Sequence, residues 1–196
     1  MQHECEQVIQ KELGSHERLI WVGRPKQGIM LRPNDIFLIP FSILWGGFAI
    51  FWEVMALTSV LKGAEKGGPT VLIFPIFGIP FVIVGLYLIF GRFIVDAKQR
   101  GNTYYGVTNE RIIIVSGLFS KKVKSLNIKT LSDIALTEKA NRYGTISFGP
   151  TNPFNWWYAG CFWPGIGNIP PMFEMIPNVK EVYDEIRKIQ SDNLNP

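Results

Sequence analysis

The chain has 196 residues, 47% hydrophobic and 13% aromatic, with 20 Lys and Arg against 16 Asp and Glu for a net charge of +4. So modest a surplus argues against a nucleic-acid binder and fits orientation in a membrane and contact with anionic headgroups. Two cysteines and two histidines argue against a disulfide framework and offer no paired spacing for a metal.

The first 35 residues form an N-terminal arm. Arg24-Pro-Lys-Gln-Gly28 superficially resembles a phosphate loop but lacks Gly-Lys-Ser/Thr, and it reads as a turn leading toward the membrane. From Ile36 to Trp52 the chain then runs seventeen residues without a charge, meets Glu53, and resumes through Val54 to Leu61; Gly67 to Gly91 gives twenty-five more. Either run is long enough as a helix to cross a hydrocarbon layer of ~30 Å at ~1.5 Å per residue. Residues 36–91 are therefore expected to form a transmembrane helical hairpin, with spans at 36–61 and 67–91 and a short turn between them. The first run begins too late and lacks the flanks of a cleaved leader.

Lys and Arg flank the hairpin unevenly. Lys11, Arg18, Arg24, Lys26 and Arg32 precede it and Arg92, Lys98, Arg100 and Arg111 follow, against Lys62 and Lys66 in the turn. That bias places both termini in the cytoplasm of a multi-pass protein of the inner (plasma) membrane. Glu53 falls ~27 Å along the first helix, which suits a carboxylate wetted at the far boundary better than a midplane relay. Pro69, Pro75 and Pro80 with Gly78 and Gly85 suggest a kinked, closely packing second span.

Beyond Arg92 the pattern turns to short β-rich runs: Thr103–Thr108, Arg111–Val115, Val123–Ile128, Asp133–Glu138 and Gly144–Gly149. Turn signals at Thr108-Asn-Glu110, Ser116-Gly117 and Asn141 to Gly144 make consecutive strands antiparallel neighbours. Alternation in Asp133–Glu138 and around Ile146 and Phe148 predicts a sheet with one wet face. Pro177 to Gln190 carries an apolar stripe of Val179, Val182, Tyr183, Ile186 and Ile189, which predicts a helix lying on the open end of the sheet. Asn178 with Glu181 resembles a capping box, and Asp184 with Lys188 suits an ion pair.

Tyr104-Tyr-Gly-Val-Thr-Asn-Glu-Arg-Ile-Ile-Ile-Val-Ser-Gly117, Val123 to Ile128, Gly144-Thr-Ile-Ser-Phe-Gly149 and the final Val-x-x-Val-Tyr-x-x-Ile helix resemble the bacterial pleckstrin-homology-like (PH-like) domain of membrane proteins. Glu17 to Gly28 ahead of a hairpin is similar to the upstream arrangement in such proteins. The resemblance implies about seven antiparallel strands in a β-barrel or sandwich capped by a C-terminal helix, hence an α+β membrane protein whose residues 92–196 are a cytoplasmic PH-like domain. It implies no chemistry.

Pro150 to Phe173 departs from the family pattern, with no charge and with Phe154, Trp156, Trp157, Tyr158, Phe162 and Trp163 inside ten residues. It reads both as irregular strands wrapping the barrel and as a membrane-interface or partner-docking loop, since Trp and Tyr favour headgroup boundaries and binding hot spots. Lys121, Lys122 and Lys124 form a basic run suited to anionic lipid rather than to a specific phosphate pocket. No nucleophile elbow, Cys-His pairing, Rossmann glycines or carboxylate cluster appears, so neither an enzyme nor a cofactor is expected.

The reading is a non-catalytic, membrane-anchored interaction module that scaffolds a membrane protein complex or senses the membrane surface. Its partners are the bilayer and a membrane protein or a second copy, not nucleic acid. The alternative is an accessory subunit of a transport or membrane-enzyme complex in which the hairpin is the working part.

Overall fold

A computed structural model describes residues 2–63, 72–149 and 170–194. The described chain divides into two compact units. One comprises residues 2–28, 96–149 and 170–194, and the other comprises 29–63 and 72–95. Each is considered by itself.

The β-rich unit opens with helix α1 (Gln2–Gln10) and strand β1 (Leu19–Gly23). Beyond residue 101 come β2 (Tyr104–Thr108), β3 (Arg111–Ser116) and β4 (Lys122–Asn127), then a short 3-10 turn at Ile128–Thr130. Next are β5 (Ile134–Glu138), β6 (Gly144–Phe148), β7 (Met172–Ile176) and the C-terminal helix α5 (Val179–Leu194). The strands make two antiparallel sheets, β1-β2-β3-β4 and β5-β6-β7. Among the described residues there is thus no closed barrel, only the sandwich half of that expectation.

Phe173 of β7 anchors the main core. It is fully buried, stacks on Tyr105 at 4.6 Å, and meets Phe148 edge-on at 5.1 Å and Trp21 at 5.6 Å. Val179, Val182 and Ile186 of α5 fall on one stripe and join this cluster with Ile112, Ile114 and Ile146. The buried Gln190 amide fastens the far end of α5, donating to Ile128 O at 3.3 Å and Leu131 O at 2.7 Å.

A second cluster covers the other face of the four-stranded sheet, where Ile9 of α1 packs on Ile113 and Val115. Ile112 to Val115 are consecutive buried residues for that reason: successive side chains point to opposite faces, and both faces are covered. The one-sided sheet expected from alternation in these runs is the smaller one, where β5 and β6 alternate in burial.

Two local expectations at α5 are replaced. Asn178 adopts a left-handed φ of 48°, and its carbonyl, rather than a side-chain box, takes the N–H groups of Glu181 at 3.1 Å and Val182 at 3.4 Å. Asp184 pairs with Lys180, one turn before it, at 2.7 Å.

The second unit is a pair of long apolar helices. Helix α2 spans Asp35–Gly63, and the second is a helical run from Ile73 to Gly101. The latter consists of α3 (Ile73–Leu86), a π turn at Tyr87–Gly91 and α4 (Arg92–Gly101), whose end lies in the β-rich unit. Helical structure therefore continues ten residues past the expected end of the span at Gly91. Both helices are long and apolar enough to cross a membrane. Gly85 lets them touch: a Cβ there would lie 2.8 Å from the Gly46 Cα. Their outward surfaces are apolar, with Phe37 77%, Leu44 73% and Phe77 65% exposed.

Candidate functional site

The block Thr108-Asn-Glu-Arg111, within the Tyr104 to Gly117 run that carries the resemblance, closes the β2–β3 turn. The buried Thr108 Oγ1 accepts from Glu110 N at 3.1 Å and Arg111 N at 2.9 Å, and it donates to Arg111 O at 3.0 Å. Asn109 Oδ1 accepts from Arg18 N at 2.8 Å, while Asn109 O accepts from Asn193 Nδ2 at 2.9 Å. Arg111 donates to Glu12 O, Glu17 Oε2 (both 2.9 Å) and Ser125 Oγ (3.1 Å). The block therefore staples the N-terminal arm and the C-terminal helix to the sheet. The side chains of Thr108, Asn109 and Arg111 are occupied by structure, and Glu110 is exposed.

Glu17 is the acidic centre of that staple, its side chain only 7% exposed. Burial opposes its ionisation, but the Arg111 guanidinium and the Gly14 N–H outweigh burial and hold the carboxyl below its ordinary value of 4.5. A depressed carboxylate pKa contributes stability that is complete above the ordinary value and is lost as pH falls through the folded one. Unfolding measured from pH 7 down to pH ~3 should thus show an acid-limb loss that Glu17→Gln flattens, with the variant weaker than the parent at neutral pH. Equal acid limbs for both would show that Glu17 does not contribute it.

The predicted basic run lies at and beyond the β3–β4 turn. Lys121 pairs with Glu12, whereas among the described residues Lys122 and Lys124 make no ion pair. Both project from the edge strand β4, with Lys122 opposite Ser116 and Lys124 opposite Ile114. Charged side chains on an edge strand also hinder pairing with another chain. At the apex Phe119 is 97% exposed, a feature the sequence reading did not single out. Its signal was an aromatic in a tight turn immediately ahead of the lysines.

Elsewhere in this unit an open cleft of about 520 Å³ is lined by Arg24, Lys26, Tyr143, Glu181 and Glu185 among others. Cations and carboxylates there offset one another. Cys5 borders the cleft, and burial raises its thiol above the ordinary value despite the nearby Arg24, which disfavours the reactive thiolate. The aromatic residues Phe154, Trp156, Trp157, Tyr158, Phe162 and Trp163 lie outside the described residues.

The helical unit holds its own polar centre. Arg92 pairs with Asp35 at 2.6 Å, with side chains 8% and 9% exposed. The Arg92 backbone N–H reaches Tyr87 O, five residues back, in the widened π turn, and its Nε donates to Leu88 O at 2.8 Å. Glu53, expected as a carboxylate wetted at the far boundary, is half-buried. It packs against Gly78 of α3, and its Oε2 is shielded and without a hydrogen-bond partner.

Among the described residues no group of three or more His, Cys, Asp or Glu could hold a metal. Antiparallel sheets of four and three strands with a C-terminal helix against their core define a PH-like module. The sequence profile of the family described as "Bacterial PH domain" matches residues 37–190, and the chain belongs to that family. No curated protein and no solved structure matches it.

Proposed function

We propose that this protein is a membrane-anchored PH-like interaction module that scaffolds a membrane protein complex or senses the membrane surface without catalysis. The observation that carries the reading is the outward apolar surface of α2 and of the helical run that α3 begins, both of spanning length. Each fully buried Leu, Ile or Phe is worth ~1.5–3 kcal/mol over an exposed one, so water is a poor solvent for such a surface and a bilayer a good one. Family membership supports an interaction or lipid-binding role for the β-rich unit. The aromatic stretch from Phe154 to Trp163 belongs to the same proposal as its contact with the headgroup layer or a membrane protein partner.

The Lys and Arg bias puts both termini on the cytoplasmic face of the inner membrane, with the turn outside. Single cysteines at Ala64 and Asp192 in a background with Cys5→Ser and Cys161→Ser should label differently with an impermeant thiol reagent in intact cells, at residue 64 alone. Labelling at 192 with protection at 64 would invert the topology, and labelling of neither until the cells are opened would remove the hairpin from the membrane.

The accessory-subunit reading gains from one observation, the Oε2 atom of Glu53, shielded against Gly78 without a hydrogen-bond partner. It stands if Glu53→Gln abolishes the cellular role of the protein while an unrelated hairpin cannot replace the native one. A functional hairpin exchange favours the module.

A further inference from the structure

The β3–β4 tip combines features that a solvated turn does not need. Gly117 permits the tight reversal, since a Cβ there would lie 2.0 Å from Ser120 O. The reversal presents Phe119 almost wholly to solvent, 97% exposed. Cations flank it on both faces of the hairpin. On the α1 face, Lys11 and Lys121 line with Phe119 a shallow groove of about 370 Å³. On the other face stand Lys122 and Lys124, because Lys124 lies opposite Ile114 of the main core whereas Val115 turns toward α1. Among the described residues, the only carboxylate paired within this group is Glu12, with Lys121.

We propose that this tip is a second membrane contact of the chain, in which Phe119 enters the interfacial layer of an anionic bilayer and Lys11, Lys121, Lys122 and Lys124 meet the headgroups around it. A bilayer suits this arrangement better than a protein partner, since an inserted apex meets anionic groups on all sides while a docked protein covers one face. Aromatic rings favour the headgroup boundary, and each nearby Lys adds about 1 kcal/mol at an anionic surface. The contact is diffuse and has no headgroup pocket, so it requires negative lipid charge but no particular lipid. This rests on the membrane-anchored reading above and specifies what its β-rich unit touches.

The full-length chain tests it in lipid nanodiscs, either phosphatidylcholine alone or containing about one-third phosphatidylglycerol. An environment-sensitive fluorophore is placed on Ser120→Cys in a background with Cys5→Ser and Cys161→Ser. In anionic discs its emission should shift to the blue and be quenched by spin-labelled lipid, and in neutral discs it should remain water-like. Phe119→Ser should remove the shift, and Lys122→Gln and Lys124→Gln should each lower the ratio of inserted to free tip about fivefold. Added salt should act in the same direction. A water-like reporter on a chain that co-elutes with anionic discs overturns the tip contact and leaves the anchored reading intact, whereas a chain that never enters the discs overturns both. Equal quenching in neutral discs, or a blue-shifted reporter in lipid-free detergent, overturns the proposal by assigning the signal to apolar contact alone or to a contact between copies.

Discussion

Ile186→Asp should unfold the β-rich unit more readily than any surface change in it. Ile186 is fully buried on α5, in the cluster that includes Ile146, Phe173 and Ile176. Truncating a buried Ile costs ~2–5 kcal/mol, and the carboxylate adds the desolvation of a charge with no partner, so a loss of ~3 kcal/mol or more is expected. At ~4 °C per kcal/mol for a unit of roughly 100 residues, the melting midpoint of the detergent-solubilised chain should drop by at least ~12 °C. Lys188→Ala, on the exposed side of the same helix, should change stability by less than ~0.5 kcal/mol and serves as the control. A variant that melts with the parent would mean that α5 does not close the core.

Arg92→Met should be nearly as damaging to the helical unit. Asp35 and Arg92 are more than nine-tenths buried and 2.6 Å apart, and removing one partner of such a pair costs ~3–5 kcal/mol because the other charge stays buried without its counterion. Replacing both, Asp35→Leu with Arg92→Met, should cost less than either single change, since an apolar pair leaves no charge behind. Arg92→Lys should fall between, keeping the charge but losing the Nε donor to Leu88 O. Denaturant-induced unfolding of the chain in mixed micelles measures all four. Single variants as stable as the parent would mean that water reaches the pair and the ionic contact is not a structural tie.

The legible part of the fold was the part encoded locally. Five short β-rich runs located β2 to β6 to within a residue or two, because alternation and turn residues act over the same five or six residues that form a strand. The apolar stripe located α5 to within two residues at its start, but the helix runs four residues past Gln190, to Leu194. The lysines were found as a basic run, but Phe119 was not, because a single apolar residue in a turn has no periodicity to betray it. The Thr-Asn-Glu-Arg block stood out as a family mark, yet its role as a staple could not be read from it: Glu17 is ninety-four positions from Arg111 and Asn193 eighty-four from Asn109.

By itself, the sequence determined the two apolar runs, the change from helical to strand period after them, and the family, since each depends on composition or on neighbours a few residues apart. Only the tertiary structure decided that the N-terminal arm supplies strand β1 and the backing helix α1. Leu19 to Gly23 acquires its strand partner from β2, more than eighty residues later, and nothing in five residues names a partner that distant. The same holds for β7, whose Phe173 becomes the centre of the core only when Trp21, Tyr105 and Phe148 are brought around it. Local propensity set which segments could be strands and helices, and burial of apolar surface between segments far apart in the chain selected their partners.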